Sequence, residues 1–144
     1  MADRVRIALV VLMIVAACGK QASSSIDEFR SVERTCIRTF NDALARQRAN
    51  QIDELGLADE IDREVLPLWR TMRSHVEAAH DVPERMRPVM LRYLADRQLA
   101  WEAYTTGLRA PSDEAARPHY DVYHQKNAEA QADAAQLGPM LGPQ

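Results

Sequence analysis

Residues 25–49 read SIDEFRSVERTCIRTFNDALARQRA, and their spacing decides the fold. Ile26, Phe29, Val32, Cys36, Phe40, Ala43, Leu44 and Gln47 recur at steps of three and four, with arginines and acids between them. A period near 3.6 lays such residues along one stripe of an α-helix. Ser24 or Ser25 can cap its start, so a first helix is expected from about Ser25 to Ala49. The residues around Asn50 and Leu55-Gly56-Leu57 close it, with Gly56 expected to take the left-handed conformation.

Downstream the same period returns three times. Ile61, Val65, Leu68, Trp69, Met72, Val76 and Ala79 form a second stripe opening near Asp59, and Pro67 inside it either bends the helix or starts it. After the turn Asp81-Val82-Pro83, a third stripe runs through Met86, Val89, Met90, Tyr93, Leu94, Ala100, Trp101, Tyr104 and Leu108, with Pro88 near its beginning. Ser112 is an N-cap for a fourth run, Tyr120, Tyr123, Asn127, Ala130, Ala134 and Leu137, with Asp113 and Glu114 placed at the positive end of the helix dipole. Pro118 lies in its second turn, and Gly138-Pro139 is expected to stop it. Sustained alternation with β-branched residues is absent, so strands are not supported.

Four helices with short connections predict an all-α, antiparallel (up-down-up-down) four-helix bundle over residues 26–138, followed by a tail at 139–144. The runner-up is a three-helix core with the last helix loosely docked, because Ala128 to Gln136 is weakly apolar.

Upstream the pattern changes. Arg4 and Arg6 precede an unbroken apolar run, Ile7 to Ala17, and Val15-Ala16-Ala17 sets small residues before Cys18. This is the layout of a secretory signal. Eleven residues make roughly 16 Å of helix, too short for a bilayer core that needs about 20 residues. Val15-Ala16-Ala17-Cys18-Gly19 resembles the lipobox of bacterial lipoprotein precursors, with Val15 where Leu is usual. The resemblance implies diacylation of the Cys18 thiol, cleavage after residue 17, and a membrane held through lipid on Cys18. Gly19, standing where an aspartate would retain an enteric-type lipoprotein in the inner membrane, implies the periplasmic face of the outer membrane of a Gram-negative bacterium. Residues 18–25 then form the lipidated cysteine and a flexible tether of small polar residues. Fully extended, the tether reaches only about 25 Å, so the domain sits close to its membrane.

Cleavage leaves 127 residues, enough for one core and too few for two. Losing Asp3, Arg4 and Arg6 takes the net charge from −3 to −4, so no basic surplus invites nucleic acid. Cys36 is then the one remaining cysteine, and its place among Phe29, Val32 and Phe40 favours a small buried hydrophobe over an intermolecular disulfide.

An up-down-up-down order puts Trp101, Tyr104 and Tyr120 together at the end away from the membrane, mainly as packing. With Trp69 they also define a possible pocket between helices. Arg85 and Arg87, at the opposite end, are candidates for anionic headgroups. Glu77-x-x-His80 has the spacing of di-iron bundles, Asp121-x-x-His124 is a near match, and Glu33 and Glu102 are nominal extra carboxylates. Their heights along the bundle differ by some 20 to 30 Å at about 1.5 Å per residue, so no metal site is expected, and no cofactor. Phosphate loops, nucleophile elbows and His-Glu-x-x-His are all missing, so no catalytic residue is named and an enzyme is not expected. Asp42/Arg46 and Asp113/Arg117 merely steady helices. Two functions are expected: an envelope module that binds an unidentified envelope protein or serves structurally, and alternatively a carrier of a small apolar ligand.

Overall fold

The computed structural model describes residues 24–142. The expected signal segment, Cys18 and the expected tether as far as Ser23 lie outside the described residues. The elements are α1 (Ser25–Arg48), α2 (Glu54–Glu60), a π-helical turn (Ile61–Val65), α3 (Leu66–Ala78), α4 (Arg87–Leu108) and α5 (Asp113–Leu141). The described residues contain no strand, and none of their helices is long and apolar enough to cross a membrane. With α2, the π turn and α3 stacked as one interrupted rod, the fold is the all-α four-helix bundle that the stripes predict.

Cross-helix pairs fix the sense of each neighbour. Arg92 meets Asp133, Asp96 meets Lys126 and Tyr104 meets Tyr120, so α4 and α5 run in opposite directions. Ser25 with His75 and Cys36 with Val65 do the same for α1 and the second rod. Between α1 and α4 the pairs Phe29–Tyr93 and Phe40–Trp101 advance together, which places those helices parallel across the bundle. The core is continuous through Phe29, Cys36, Trp69, Met72, Tyr93 and Leu94, each at most 1% exposed.

Local chemistry explains the boundaries, including those that depart from expectation. Ser24, rather than Ser25, caps α1, its hydroxyl accepting from the Asp27 amide at 3.2 Å. The Ser25 amide instead donates to Asp81 at 2.7 Å, tying the start of α1 to the loop after α3. At the other end the left-handed residue is Asn50, with φ 55°, and not Gly56. The Asn50 amide donates to Gln47 and the Gln51 amide to Arg46, which is the double-bond C-terminal lock, with asparagine in the place glycine usually takes. Gly56 lies inside α2, which begins several residues before the expected Asp59 because Asp53 caps it, accepting from the Gly56 amide at 2.7 Å.

Pro67 both interrupts and starts. The Leu66 amide reaches back five residues to Ile61, the π turn ends, and Pro67 falls in the first turn of α3, where its missing amide needs no partner. Pro88 likewise occupies the first turn of α4. That helix starts at Arg87 rather than near Pro83, because residues 83–86 form a single turn in which Pro83 accepts from the Met86 and Arg87 amides. Ser112 caps α5 as expected, accepting from Ala115 at 3.2 Å. The helix does not stop at Gly138-Pro139 but runs through both to Leu141, which shortens the expected tail.

Candidate functional site

Trp101, Tyr104 and Tyr120 come together as expected. Tyr104 lies 6.2 Å from Trp101 and 5.9 Å from Tyr120 between ring centroids. Phe40 from α1 and Tyr123 from α5 complete the group, at 4.4 Å from Trp101 and 4.9 Å from Tyr104. Trp101 is buried and the other four rings are partly exposed. Burial pushes the Tyr104 and Tyr120 hydroxyls above their ordinary pKa, helped by neighbouring tyrosines and Glu54 at Tyr104, so both stay neutral near pH 7. Gly107 permits the closest approach: a Cβ there would stand 2.7 Å from Tyr120 Cε1.

Trp69 is not part of this group. It packs edge-on against Tyr93 at 6.0 Å, and Tyr93 in turn meets Phe29 at 5.7 Å, forming a second, buried aromatic set toward the end where α1 begins. The indole N–H groups of Trp69 and Trp101 are both buried without a protein partner.

The three cavities described lie beside other residues. Two open depressions of about 470 and 400 Å³ flank Asp53 at the turns. A third, of about 180 Å³ and more enclosed, lies between α1, α4 and the last turns of α5, and is lined by Phe29, Glu33, Tyr93, Ala134, Leu137, Gly138 and Leu141. Glu33 accepts a hydrogen bond from the Tyr93 hydroxyl, whose oxygen accepts from Arg97 Nε at 3.2 Å. Arg97 also donates to Asn127 and lies over the Tyr93 ring, 5.3 Å from its centroid. Desolvation pushes the Tyr93 hydroxyl strongly upward in pKa, so it remains a donor to Glu33. The sequence flagged Glu33 only as a nominal metal ligand. Its position one turn after Phe29 on the inner stripe was the available signal.

The residues with di-iron spacing are not gathered. α3 ends at Ala78, so Glu77 and His80 do not share a helical face, and Glu77 pairs with Arg73 at 3.2 Å. Glu102 pairs with Arg70 at 2.8 Å; burial opposes its charge, but hydrogen bonds from Arg70 and Gln98 outweigh it and lower its pKa. Among the described residues no group of three or more His, Cys, Asp or Glu is arranged to hold a metal ion. Arg87 faces protein rather than a free surface, donating to the Val76 carbonyl at 2.9 Å and so closing the end of α3. Arg46 reaches across to Glu60 instead of steadying its own helix with Asp42.

Cys36 is 1% exposed and its thiol lies 3.9 Å from the Val65 carbonyl, at the end of the π turn. Burial, with Glu33 adding to it, pushes that thiol up to about 12. It is therefore a buried hydrophobe with a weak donor, as its place on the stripe suggests. No family model, curated protein or solved structure matches this chain.

Proposed function

We propose that the chain is a lipid-anchored lipoprotein of the bacterial cell envelope, whose bundle serves as a protein-interaction or structural module on the periplasmic side. The observation that carries this reading is the run from Arg4 to Cys18: basic start, eleven apolar residues, small residues and then a thiol. A thiolate is the nucleophile such acylation needs. Each buried methylene adds about 0.8 kcal/mol of anchoring, so two or more acyl chains hold where one does not.

The direction of α1 supports a presentation role. It begins at Ser25, next to the tether, and its 24 residues extend about 36 Å at about 1.5 Å per residue. Phe40, Tyr104, Tyr120 and Tyr123 are carried on the far half, partly exposed, and aromatic side chains of this kind are enriched where proteins meet.

Fractionation of a Cys18→Ala variant tests the anchor: membrane association is lost and uncleaved precursor accumulates. A bare, unacylated N-terminus on the native chain, read by mass spectrometry, overturns it. The interaction role predicts an envelope protein retained by the native chain and released by Tyr123→Ala. The alternative, a carrier of a small apolar ligand at Trp69, Trp101, Tyr104 and Tyr120, requires those four rings to share a space, whereas Trp69 packs with Tyr93 and Phe29 instead.

A further inference from the structure

The half-open cavity between α1, α4 and α5 supports an inference that does not depend on the lipid anchor. Its walls carry apolar groups, Phe29, the Tyr93 ring, Ala134, Leu137 and Leu141, beside a comparable polar surface, and Glu33 is its one ionisable carboxyl group. The Tyr93 hydroxyl satisfies one lone pair of that carboxylate. Among the described residues no Lys, Arg or His nitrogen lies within 4.0 Å of it, and the nearest charge in its network, Arg97, stands one hydrogen bond further away. A carboxylate without an ion-pair partner, beside the Phe29 ring and alkyl side chains, is the chemistry that recognises an ammonium group on a hydrocarbon stem.

Size narrows the choice. At about 180 Å³ the cavity equals roughly six water volumes, well short of the 300 Å³ or so at which sites for drug-sized ligands begin. An acyl chain or a ring cofactor is too large, and one side-chain-sized group fits. Gly138 at the rim supports the same reading. It is helical, lies outside the positive-φ region, and a Cβ built on it meets no atom within 4 Å. Neither strain nor a close neighbour calls for glycine, one of the least favourable helix residues, at this lining position.

We propose that this cavity binds an alkylammonium group, with the nitrogen against Glu33 and the stem along Phe29, Ala134 and Leu137. The same chemistry comes from a free small amine or from a lysine side chain of a docked protein, and these are separable by experiment. The full-length mature chain in a non-ionic detergent is titrated near pH 7 with n-pentylammonium, with pentanoate and with Nα-acetyl-lysine methylamide, following the methyl resonances of Ala134, Leu137 and Leu141. Both amines shift these methyls saturably, with Kd in the millimolar range expected for so small a ligand. Pentanoate, repelled by Glu33, binds at least about tenfold more weakly, and Glu33→Gln weakens pentylammonium by at least about tenfold. Gly138→Leu, whose side chain has open space, blocks the mouth and removes binding while the helical circular dichroism stays unchanged. Tighter binding of pentylammonium identifies a free amine as the ligand, and tighter binding of the capped lysine identifies a partner's side chain. Absence of saturable shifts with either amine, equal binding of pentanoate, or native affinity in a folded Glu33→Gln variant overturns the proposal.

Discussion

Gly107→Ala tests how closely α4 and α5 are packed, because two effects of opposite sign act at that position. Alanine is a better helix residue than glycine by about 0.8 to 1.0 kcal/mol, and Gly107 lies in α4. The added Cβ, however, would stand 2.7, 3.0 and 3.1 Å from Cε1, Cδ1 and Cζ of Tyr120, where contact between carbons is comfortable at about 3.5 to 4.0 Å. The ring must retreat by close to an ångström, against its packing on Tyr104. Overpacking of this kind costs about 1 to 3 kcal/mol, so the net effect is a loss of up to about 2 kcal/mol, or roughly 4 °C in Tm for each kcal/mol in a domain of this size. Removing the ring removes the clash. In a Tyr120→Ala background the same substitution therefore stabilises by close to the full propensity gain, and the coupling energy of the double-mutant cycle equals the packing penalty, about 1 to 3 kcal/mol. Urea unfolding followed by circular dichroism at 222 nm reads all four corners. A Gly107→Ala chain more stable than the native one would refute the close approach of α4 and α5 at Tyr120.

Two further outcomes follow from the buried thiol and the loop carboxylate. With its pKa near 12 and 1% exposure, Cys36 should resist Ellman's reagent in the folded chain and react fully in 6 M guanidinium, and oxidation should give no disulfide-linked dimer on a non-reducing gel; native-state labelling within minutes would contradict the packing of α1 on the π turn. Hydrogen bonds from Ser25 lower the Asp81 pKa, so the stabilisation from that contact is present above the ordinary carboxylate pKa near 3.9 and is lost as pH falls through the lowered value; the gap in urea midpoint between the native chain and Asp81→Ala should be full at pH 6 and narrow as pH falls through that lowered value, and a gap independent of pH would refute it.

The helices could be read because each stripe is dense enough to survive its own exceptions. Phe29, Cys36 and Ala43 on α1, and Trp69, Met72 and Val76 on α3, are buried as their spacing implies. Boundaries were less legible wherever one residue type fits two roles. Asn50 and Gly56 both tolerate the left-handed conformation, and only the three-dimensional course of residues 46–51 gives it to Asn50. Pro67, Pro88 and Pro118 look alike in sequence, yet the first two open helices and the third lies within one. A proline in a first turn loses nothing, whereas Pro118 leaves a carbonyl without its helical partner on an exposed flank. The distal aromatic group was foreseeable from topology. Trp69 instead packs with Tyr93 and Phe29, toward the end where α1 begins, because its height along the second rod matches theirs and not that of Trp101.

The weakly apolar second half of α5 shows why composition alone misjudged the site. Ala130, fully buried, lets the backbone of α5 approach α4 closely, and Arg92 with Asp133 and Asp96 with Lys126 latch the two helices at 2.9 and 3.0 Å. A helix poor in large apolar residues is thus held firmly on one side, where small residues and ion pairs suffice. On its other side the same poverty has the opposite result. Ala134 and Gly138 present too little volume to fill the space facing Phe29 and Glu33 of α1, and the cavity remains. Close packing would ordinarily remove such a void, since an unfilled wall forfeits dispersion contacts. Firm docking against α4 and vacancy against α1 are therefore two consequences of one run of small residues, and the vacancy coincides with the one carboxylate on that wall that lacks an ion-pair partner.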